Sequence, residues 1–259
     1  MKFGINLYTL HKLIQTEEGL EKTFVCLAEL GYSYVQFSGG QFDADMIARV
    51  SRNTNMPVVV THVPMDRILN ETEQLMEEHA KFGCNKIGLG MIQPSILFAD
   101  SDGMMRKIDE LERAAEIMDR GGFKFFYHNH FQEFYKLSDG RKIYDYMMAA
   151  PHFNFTFDTY WAQYGGMDVG ALIEKLNGRI ECVHLKDYKI TYFEDGESRG
   201  FKPIYCPVGD GNMDFPTITA KMKKAGTEYF LVEQDNACSF DDPWEQVARS
   251  AEYLKTLKI

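Results

Sequence analysis

The residues of this chain best suited to chemistry are four side chains at or just after the ends of short β-like runs in its second half. They are Glu133, Asp158, His184 and Glu233. Oxygen and imidazole ligands without a thiolate suit Mn²⁺, Mg²⁺, Co²⁺ or Zn²⁺, and three carboxylates favour the harder ions. We therefore expect these side chains to bind one divalent metal ion, with manganese as the first expectation.

A metal ion in such a site can polarise a substrate carbonyl, which makes the adjacent C–H bond more acidic. Glu133 and Glu233, facing one another across the substrate, can then act as acid and base, and this inverts a carbon. Taken singly, Asp158 and Glu233 also suit helix N-caps, and His184 suits a core histidine. Four suitable groups at successive run ends favour the metal site.

Short apolar runs alternate along the chain with longer stretches of helical periodicity, which is the pattern of repeated βα units. The eight runs cover residues 3–8, 34–39, 57–63, 86–91, 123–128, 153–158, 180–186 and 229–234. At 259 residues the chain has the length of one α/β barrel. We expect a single (β/α)8 TIM-barrel domain over residues 1–259. Chemistry in such barrels lies at the C-terminal ends of the strands, where the four side chains would converge.

Glycines and capping residues mark the helices between the runs. Apolar spacing predicts helices over residues 16–30, 71–82, 104–120 and 215–225, each followed by a glycine. Thr16, Asp168 and Asp242 are predicted N-caps. The connection from Tyr188 to Asp214 is predicted to be long and irregular, and such loops in compact domains are usually functional or mobile.

Charge and composition restrict the partners. A net charge of -10 and an isoelectric point near 5.2 disfavour nucleic acid, which is bound by clustered Lys and Arg. We found no secretory signal and no run near the roughly 18 apolar residues of a membrane span, so we expect a soluble, cytoplasmic protein without a membrane partner. The five scattered cysteines suggest no disulfide framework. A homo-oligomer is compatible with the sequence.

Five motifs carry a resemblance to a known family. They are YHNHFQEF (127–134), TFDTYW (156–161), HLKD (184–187), PVGDGNMDF (207–215) and LVEQD (231–235). In residue identity, order and spacing they resemble motifs of the xylose-isomerase-like barrel superfamily. The resemblance is to its sugar phosphate isomerase/epimerase group, which includes ketose 3-epimerases and inosose dehydratases. The resemblance implies that Glu133, Asp158, His184 and Glu233 are metal ligands, and that Glu133 and Glu233 also form the acid/base pair.

The resemblance also suggests substrate contacts. Arg199, beside Gly200 after the seventh run, matches a substrate-binding arginine of ketose epimerases. Those epimerases have a histidine where this chain has Trp161, whose ring suits stacking on a sugar. His128 and His130 are additional imidazoles, and either can serve as a separate base. The further substrate-binding candidates are Asn6, Tyr8, His62 and Lys186.

We therefore expect an isomerase or epimerase that acts on a small ketose, cyclitol or keto-sugar by removing a proton next to a metal-polarised carbonyl. The alternative is a lyase or dehydratase that acts on a keto-sugar or a 3-keto-glycoside through the same site. A nuclease of the same superfamily is disfavoured, because its three-metal cluster needs more histidines than this acidic chain, with seven in all, would supply. A protein that only binds sugar is disfavoured by the presence of all four ligands.

Overall fold

The computed structural model describes residues 2–97, 101–196 and 198–257. Eight parallel strands close a barrel in which each strand pairs with its neighbours along the chain, and the last pairs with the first. The barrel strands are β1 (Gly4–Asn6), β2 (Val35–Phe37), β3 (Val58–His62), β4 (Lys86–Leu89), β5 (Lys124–His128), β6 (Phe153–Asp158), β7 (Cys182–Leu185) and β10 (Tyr229–Val232). Each lies within one predicted run, so the predicted TIM barrel is confirmed.

Helices connect the strands on the outside of the barrel. They are α1 (Glu17–Leu30), α2 (Ala44–Thr54), α3 (Met65–Asn70), α4 (Thr72–Ala80), α5 (Pro94–Leu97), α6 (Ser101–Arg120), α7 (Ile143–Ala149), α8 (Thr159–Tyr164), α9 (Val169–Lys175), α10 (Phe215–Lys224) and α11 (Pro243–Thr256). Short 3-10 helices span Leu7–Leu13, Gln132–Phe134 and Ala237–Ser239. Among the described residues, no helix is long and apolar enough to cross a membrane.

The predicted caps explain where these helices start and stop. The Thr16 side chain accepts a hydrogen bond from the backbone N–H of Gly19, and α1 ends at Gly31, which has a φ of 96°. A left-handed residue at this position is the usual end of a helix, and glycine adopts it without steric cost. Asp168 and Asp242 cap α9 and α11 as predicted.

The inside of the barrel is built in layers, because alternate residues of a strand face the same side. One buried apolar cluster consists of Tyr34, Val60, Phe126, Cys182 and Leu231. The residues two positions further along the same strands are Gln36, His62, His128, His184 and Glu233. A polar layer therefore stands directly on the apolar one at the C-terminal end of the barrel.

The connection after β7 differs from the prediction of an irregular loop. It contains an antiparallel hairpin of β8 (Asp187–Asp195) and β9 (Ser198–Cys206), whose register pairs Tyr192 with Phe201. Both sides of the turn are rich in aromatic and β-branched residues, such as Ile190, Tyr192 and Phe201, and this favours strands over loop. The irregular prediction was therefore wrong for this part of the connection.

Candidate metal centre

Four buried side chains come together at the C-terminal end of the barrel. His128, Asp158, His184 and Glu233 each offer one ligand atom, and these atoms lie within 4.8 Å of one another. Nδ1 of His184 is 2.7 Å from Oε2 of Glu233 and 3.8 Å from Oδ2 of Asp158. Nε2 of His128 is 3.4 Å from Oδ2 of Asp158. Three of the four predicted ligands are therefore close together, and His128 joins them.

In both histidines of the cluster, the ring nitrogen that points away from the other ligand atoms lies next to an oxygen acceptor. Nε2 of His184 lies 2.8 Å from Oε1 of Gln36, and Nδ1 of His128 lies 3.0 Å from the carbonyl oxygen of Gly90. These oxygens accept, so the ring nitrogens that point away from the cluster carry protons, and the two nitrogens inside the cluster would offer their lone pairs to a bound cation. Burial, and then the neighbouring His184, lowers the pKa of His128 well below its ordinary value, so this ring is neutral.

The two carboxylates are each fixed through one oxygen. Oε1 of Glu233 accepts from Nδ2 of Asn6 at 2.8 Å, and Oδ1 of Asp158 accepts from the backbone N–H of Trp161 at 2.8 Å. Asn129 adds a second support, since its Oδ1 accepts from the backbone N–H of Asp158. The other oxygen of each carboxylate faces the cluster, so both groups are oriented before anything binds.

The closest pair in the cluster lacks a hydrogen bond. Within the described part of the chain, Nδ1 of His184 and Oε2 of Glu233 are buried and have no hydrogen-bond partner, although only 2.7 Å separates them. Two lone pairs at this distance repel each other, and either a proton on the ring or a metal ion between the ligands removes that repulsion. Outer-shell partners of this kind are typical of metal-ligating histidines. Two imidazoles with two carboxylates therefore fit a divalent metal ion.

Glu133 is buried, but the structure does not bring it into this group. It lies in the 3-10 helix after β5, where its Oε1 accepts from the Tyr127 hydroxyl at 2.6 Å and its Oε2 from the backbone N–H of His130 at 2.8 Å. Tyr127 faces the opposite side of β5 from His128. The fourth member of the group in the structure is His128 rather than Glu133, and alternation from Phe126 along the strand places His128 on this side.

The cluster opens into a cavity of about 330 Å³ at the C-terminal end of the barrel. The predicted residues that line it are Asn6, Tyr8, His62, His128, His130, Lys186 and Glu233. A Cβ atom at Gly90 would lie 3.0 Å from Nδ1 of His62, so glycine leaves room for that ring. A larger cavity of about 450 Å³ lies at the opposite end, beside Lys2 and Lys86, but that end serves stability in this architecture.

Lys186 carries a buried positive charge at the edge of the cluster. Its Nζ is 2.9 Å from Oδ1 of Asp235, 3.4 Å from Oε2 of Glu233 and 3.8 Å from Oδ2 of Asp158. Burial alone would lower the pKa of Lys186, but these three carboxylates raise it above its ordinary value. Asp235 was not among the predicted site residues, although it stands two residues beyond Glu233 and lines the same cavity.

Asp187, the neighbour of Lys186 in the HLKD motif, has a structural role. Its carboxylate accepts from the backbone N–H groups of Gly209, Gly211 and Met213 at 2.9 to 3.1 Å. A Cβ atom at Gly211 would lie 2.3 Å from Oδ1 of Asp187, so only glycine allows this close approach. The GDGNM motif is therefore a turn held by one buried carboxylate.

Trp161 and Arg199 were both predicted to contact the substrate, but they lie at different distances from the cavity. The Trp161 ring lies 5.3 Å from the His130 ring and 5.1 Å from Nζ of Lys186, so it stands beside the cavity. Arg199 is exposed near the turn of the β8–β9 hairpin, opposite Glu194, and does not line the cavity. The structure thus brings Trp161 to the site and leaves Arg199 outside it.

Comparisons with known proteins agree with this architecture. An inosose dehydratase from Geobacillus kaustophilus is 29% identical over 161 residues, which are 58% of this chain and 51% of that protein. The chain thus matches about half the length of this curated relative. A sugar phosphate isomerase/epimerase from Parabacteroides distasonis has a TM-score of 0.79 at 21% identity, with 99% of this chain and 95% of that chain covered.

An L-ribulose 3-epimerase has a TM-score of 0.69 at 15% identity, with 98% of this chain and 94% of that chain covered. At such identities the solved structures show the fold alone. The family model described as xylose isomerase-like TIM barrel matches residues 24–257. The chain belongs to the xylose isomerase-like TIM barrel family.

Proposed function

We propose that this chain is a divalent-metal-dependent isomerase or epimerase of a ketose, cyclitol or keto-sugar, which moves a proton next to a carbonyl group. The observation that carries the proposal is the convergence of one ligand atom each from two histidines and two carboxylates, all within 4.8 Å of one another. The names of the relatives, which include an L-ribulose 3-epimerase and an inosose dehydratase, support this class of substrate.

His128, Asp158, His184 and Glu233 would hold the ion. Mixed imidazole and carboxylate ligands suit Mn²⁺, which we propose first, with Co²⁺, Zn²⁺ and Mg²⁺ as alternatives. When bound, the ion supplies Lewis-acid polarisation of a substrate carbonyl. Asn6 and Gln36 keep Glu233 and His184 oriented toward it.

We assign the transfer of the proton to His130, which lines the cavity. Nδ1 of His130 is buried and has no hydrogen-bond partner among the described residues, so this nitrogen is available to accept a proton from the substrate. Its backbone N–H donates to Glu133. Glu133 therefore positions the His130 segment from behind the strand.

Two further side chains act on the substrate in this proposal. The ammonium group of Lys186 is held in the cavity by carboxylates and stabilises negative charge that develops on the carbonyl oxygen. Nε2 of His62 is buried without a hydrogen-bond partner among the described residues, so it is available to a substrate hydroxyl group.

A lyase or dehydratase is the second candidate, and one observation favours it. His62 and His130 line the cavity from different strands, and each has a buried ring nitrogen without a partner in the described structure. Burial lowers the pKa of both rings, so both are neutral. One imidazole would take up the proton next to the carbonyl, the imidazolium so formed would return it to the departing hydroxyl or alkoxide, and the other imidazole would hydrogen-bond the substrate.

The test is hydrogen exchange in D₂O. The protein is stripped with a chelator, reloaded with Mn²⁺ and incubated with ketoses, inososes and 3-keto-glycosides, and products are analysed by NMR and mass spectrometry. Deuterium next to the carbonyl without loss of a group indicates epimerisation or isomerisation, whereas an elimination product indicates the lyase. Absence of exchange and elimination with every sugar and every candidate metal would refute both.

A further inference from the structure

Three aromatic rings form a surface that leads from the cavity to solvent. The Trp161 and Phe131 rings are 5.5 Å apart, and Tyr164 stands edge-on to both, at 5.3 Å from Phe131 and 5.8 Å from Trp161. Phe131 is 45% exposed and Tyr164 is 53% exposed. We call Trp161, Phe131 and Tyr164 the aromatic shelf.

The shelf is continuous with the cavity. Trp161 packs against His130, which lines the cavity, while Phe131 follows β5 and Tyr164 ends α8 after β6. Both exposed rings thus stand at the C-terminal ends of neighbouring strands. At the junction, Nε1 of Trp161 and Nδ1 of His130 are buried and have no hydrogen-bond partner within the described residues. A ligand with hydroxyl groups would supply these missing partners.

The charges around the cavity disfavour an anion. Lys186 is the one cationic side chain among the described lining residues, and three carboxylates already surround it. With a divalent ion bound, the charges of Lys186 and the ion only balance those of Asp158, Glu233 and Asp235, so no net positive charge is left to hold a phosphate group. The occupant of the cavity and the shelf is therefore uncharged.

We propose that the aromatic shelf binds a second, neutral sugar ring attached to the keto-sugar in the cavity, so that the preferred substrate is a two-ring glycoside rather than a sugar phosphate. This inference rests on the proposed function only in that the cavity holds the keto-sugar ring. A cavity of about 330 Å³ is at the small end of ligand sites, so a second ring extends beyond it. The apolar face of a sugar ring packs well on aromatic rings.

The test is calorimetric titration of the Mn²⁺-loaded protein with matched sugars. The pairs are fructose with lactulose, and 3-ketoglucose with 3-ketosucrose, in which the second compound carries an added neutral ring. Fructose 6-phosphate is the charged comparison. Stacking on the shelf is expected to make the two-ring sugar of at least one pair bind about fivefold tighter than its one-ring partner.

Phe131→Ala and Tyr164→Ala should each bring the two affinities of that pair to within about twofold of each other. Phe201→Ala is the matched control, because Phe201 is also an exposed aromatic residue but lies on the β8–β9 hairpin against Tyr192. This variant should keep the preference of the unaltered protein. Circular dichroism checks that all three variants fold.

Equal affinities within both pairs, no binding of either two-ring sugar, or tighter binding of fructose 6-phosphate than of lactulose would overturn the proposal. Equal loss of preference in Phe201→Ala would also overturn it. A two-ring preference without any deuterium exchange would leave the shelf in place and refute the proposed function. Deuterium exchange of one-ring sugars without a two-ring preference would support the proposed function and overturn the proposal for the shelf.

Discussion

Gln36 accepts a hydrogen bond from Nε2 of His184 at 2.8 Å, and this contact decides which nitrogen of the ring faces the other ligands. The two residues are 148 positions apart in the chain and lie in the same polar layer of the barrel. Without this acceptor, either ring nitrogen can carry the proton. The tautomer that can bind a metal is thus selected by an amide that need not touch the metal.

Gln36→Leu should therefore weaken Mn²⁺ binding by about 10- to 100-fold, the usual effect of losing an outer partner of a ligand histidine. Titration of the chelator-stripped protein with Mn²⁺ measures the affinity. Gln163→Leu is the control, because Gln163 bonds to the Tyr188 hydroxyl instead of to a candidate ligand. Unchanged affinity in Gln36→Leu would contradict the tautomer argument.

A pair of variants tests whether His128 or Glu133 is the fourth metal ligand beside Asp158, His184 and Glu233. His128→Ala should lose bound Mn²⁺, whereas Glu133→Gln should keep it, because Glu133 is bonded to Tyr127 and to the His130 backbone behind the strand. Elemental analysis after dialysis gives the metal content. The amide of Glu133→Gln disturbs two buried hydrogen bonds, so it should also cost about 1–3 kcal/mol of unfolding free energy.

The opposite result, with metal lost from Glu133→Gln and kept by His128→Ala, would restore the ligand set expected from the sequence resemblance. Urea unfolding of both variants, followed by circular dichroism, shows whether a loss of metal reflects a loss of fold.

Lys186→Met should reduce the rate of deuterium exchange about 10²- to 10³-fold at saturating Mn²⁺, as removal of a group that stabilises developing charge does. Mn²⁺ binding should persist, since Lys186 supplies no ligand atom. Lys221→Met, at an exposed ion pair with Glu174, is the control for loss of one positive charge. An exchange rate equal to that of the unaltered protein would exclude Lys186 from the reaction.

His79 should make the fold sensitive to acid. Its Nε2 lies 2.7 Å from the Thr61 hydroxyl and its Nδ1 lies 2.6 Å from the carbonyl oxygen of Leu75, so the neutral ring is fully bonded. Burial lowers its pKa from 6.5 to about 4. Between these values the unfolded chain takes up a proton and the folded chain does not, so stability falls as the pH drops through this window.

The loss attributable to His79 should reach on the order of 3 kcal/mol by pH 4. Urea unfolding of the protein and of His79→Gln over the window measures it, and the variant should show the smaller loss. Parallel pH profiles of the two proteins would contradict this role of His79.

The barrel could be predicted because its signals are local. Each strand is a short apolar run, and caps such as Thr16 and Gly31 mark the helix ends by their own conformational preferences. Local signals do not predict whether Glu133 or His128 belongs to the ligand cluster, since this depends on which side of β5 each residue faces. Gln36 and Asp235 were not predicted because their partners, His184 and Lys186, lie on another strand or just after it and come near only when the barrel closes. Arg199 lies outside the cavity because the connection that carries it forms a hairpin.

The bond from Asn6 to Glu233 joins the first barrel strand to the last, which also pair with one another. Asn6 is made 227 residues before Glu233. A nascent chain that stops before β10 lacks both the Glu233 ligand and the strand that closes the barrel. Tight retention of the metal ion would therefore report that the ring of strands has been completed.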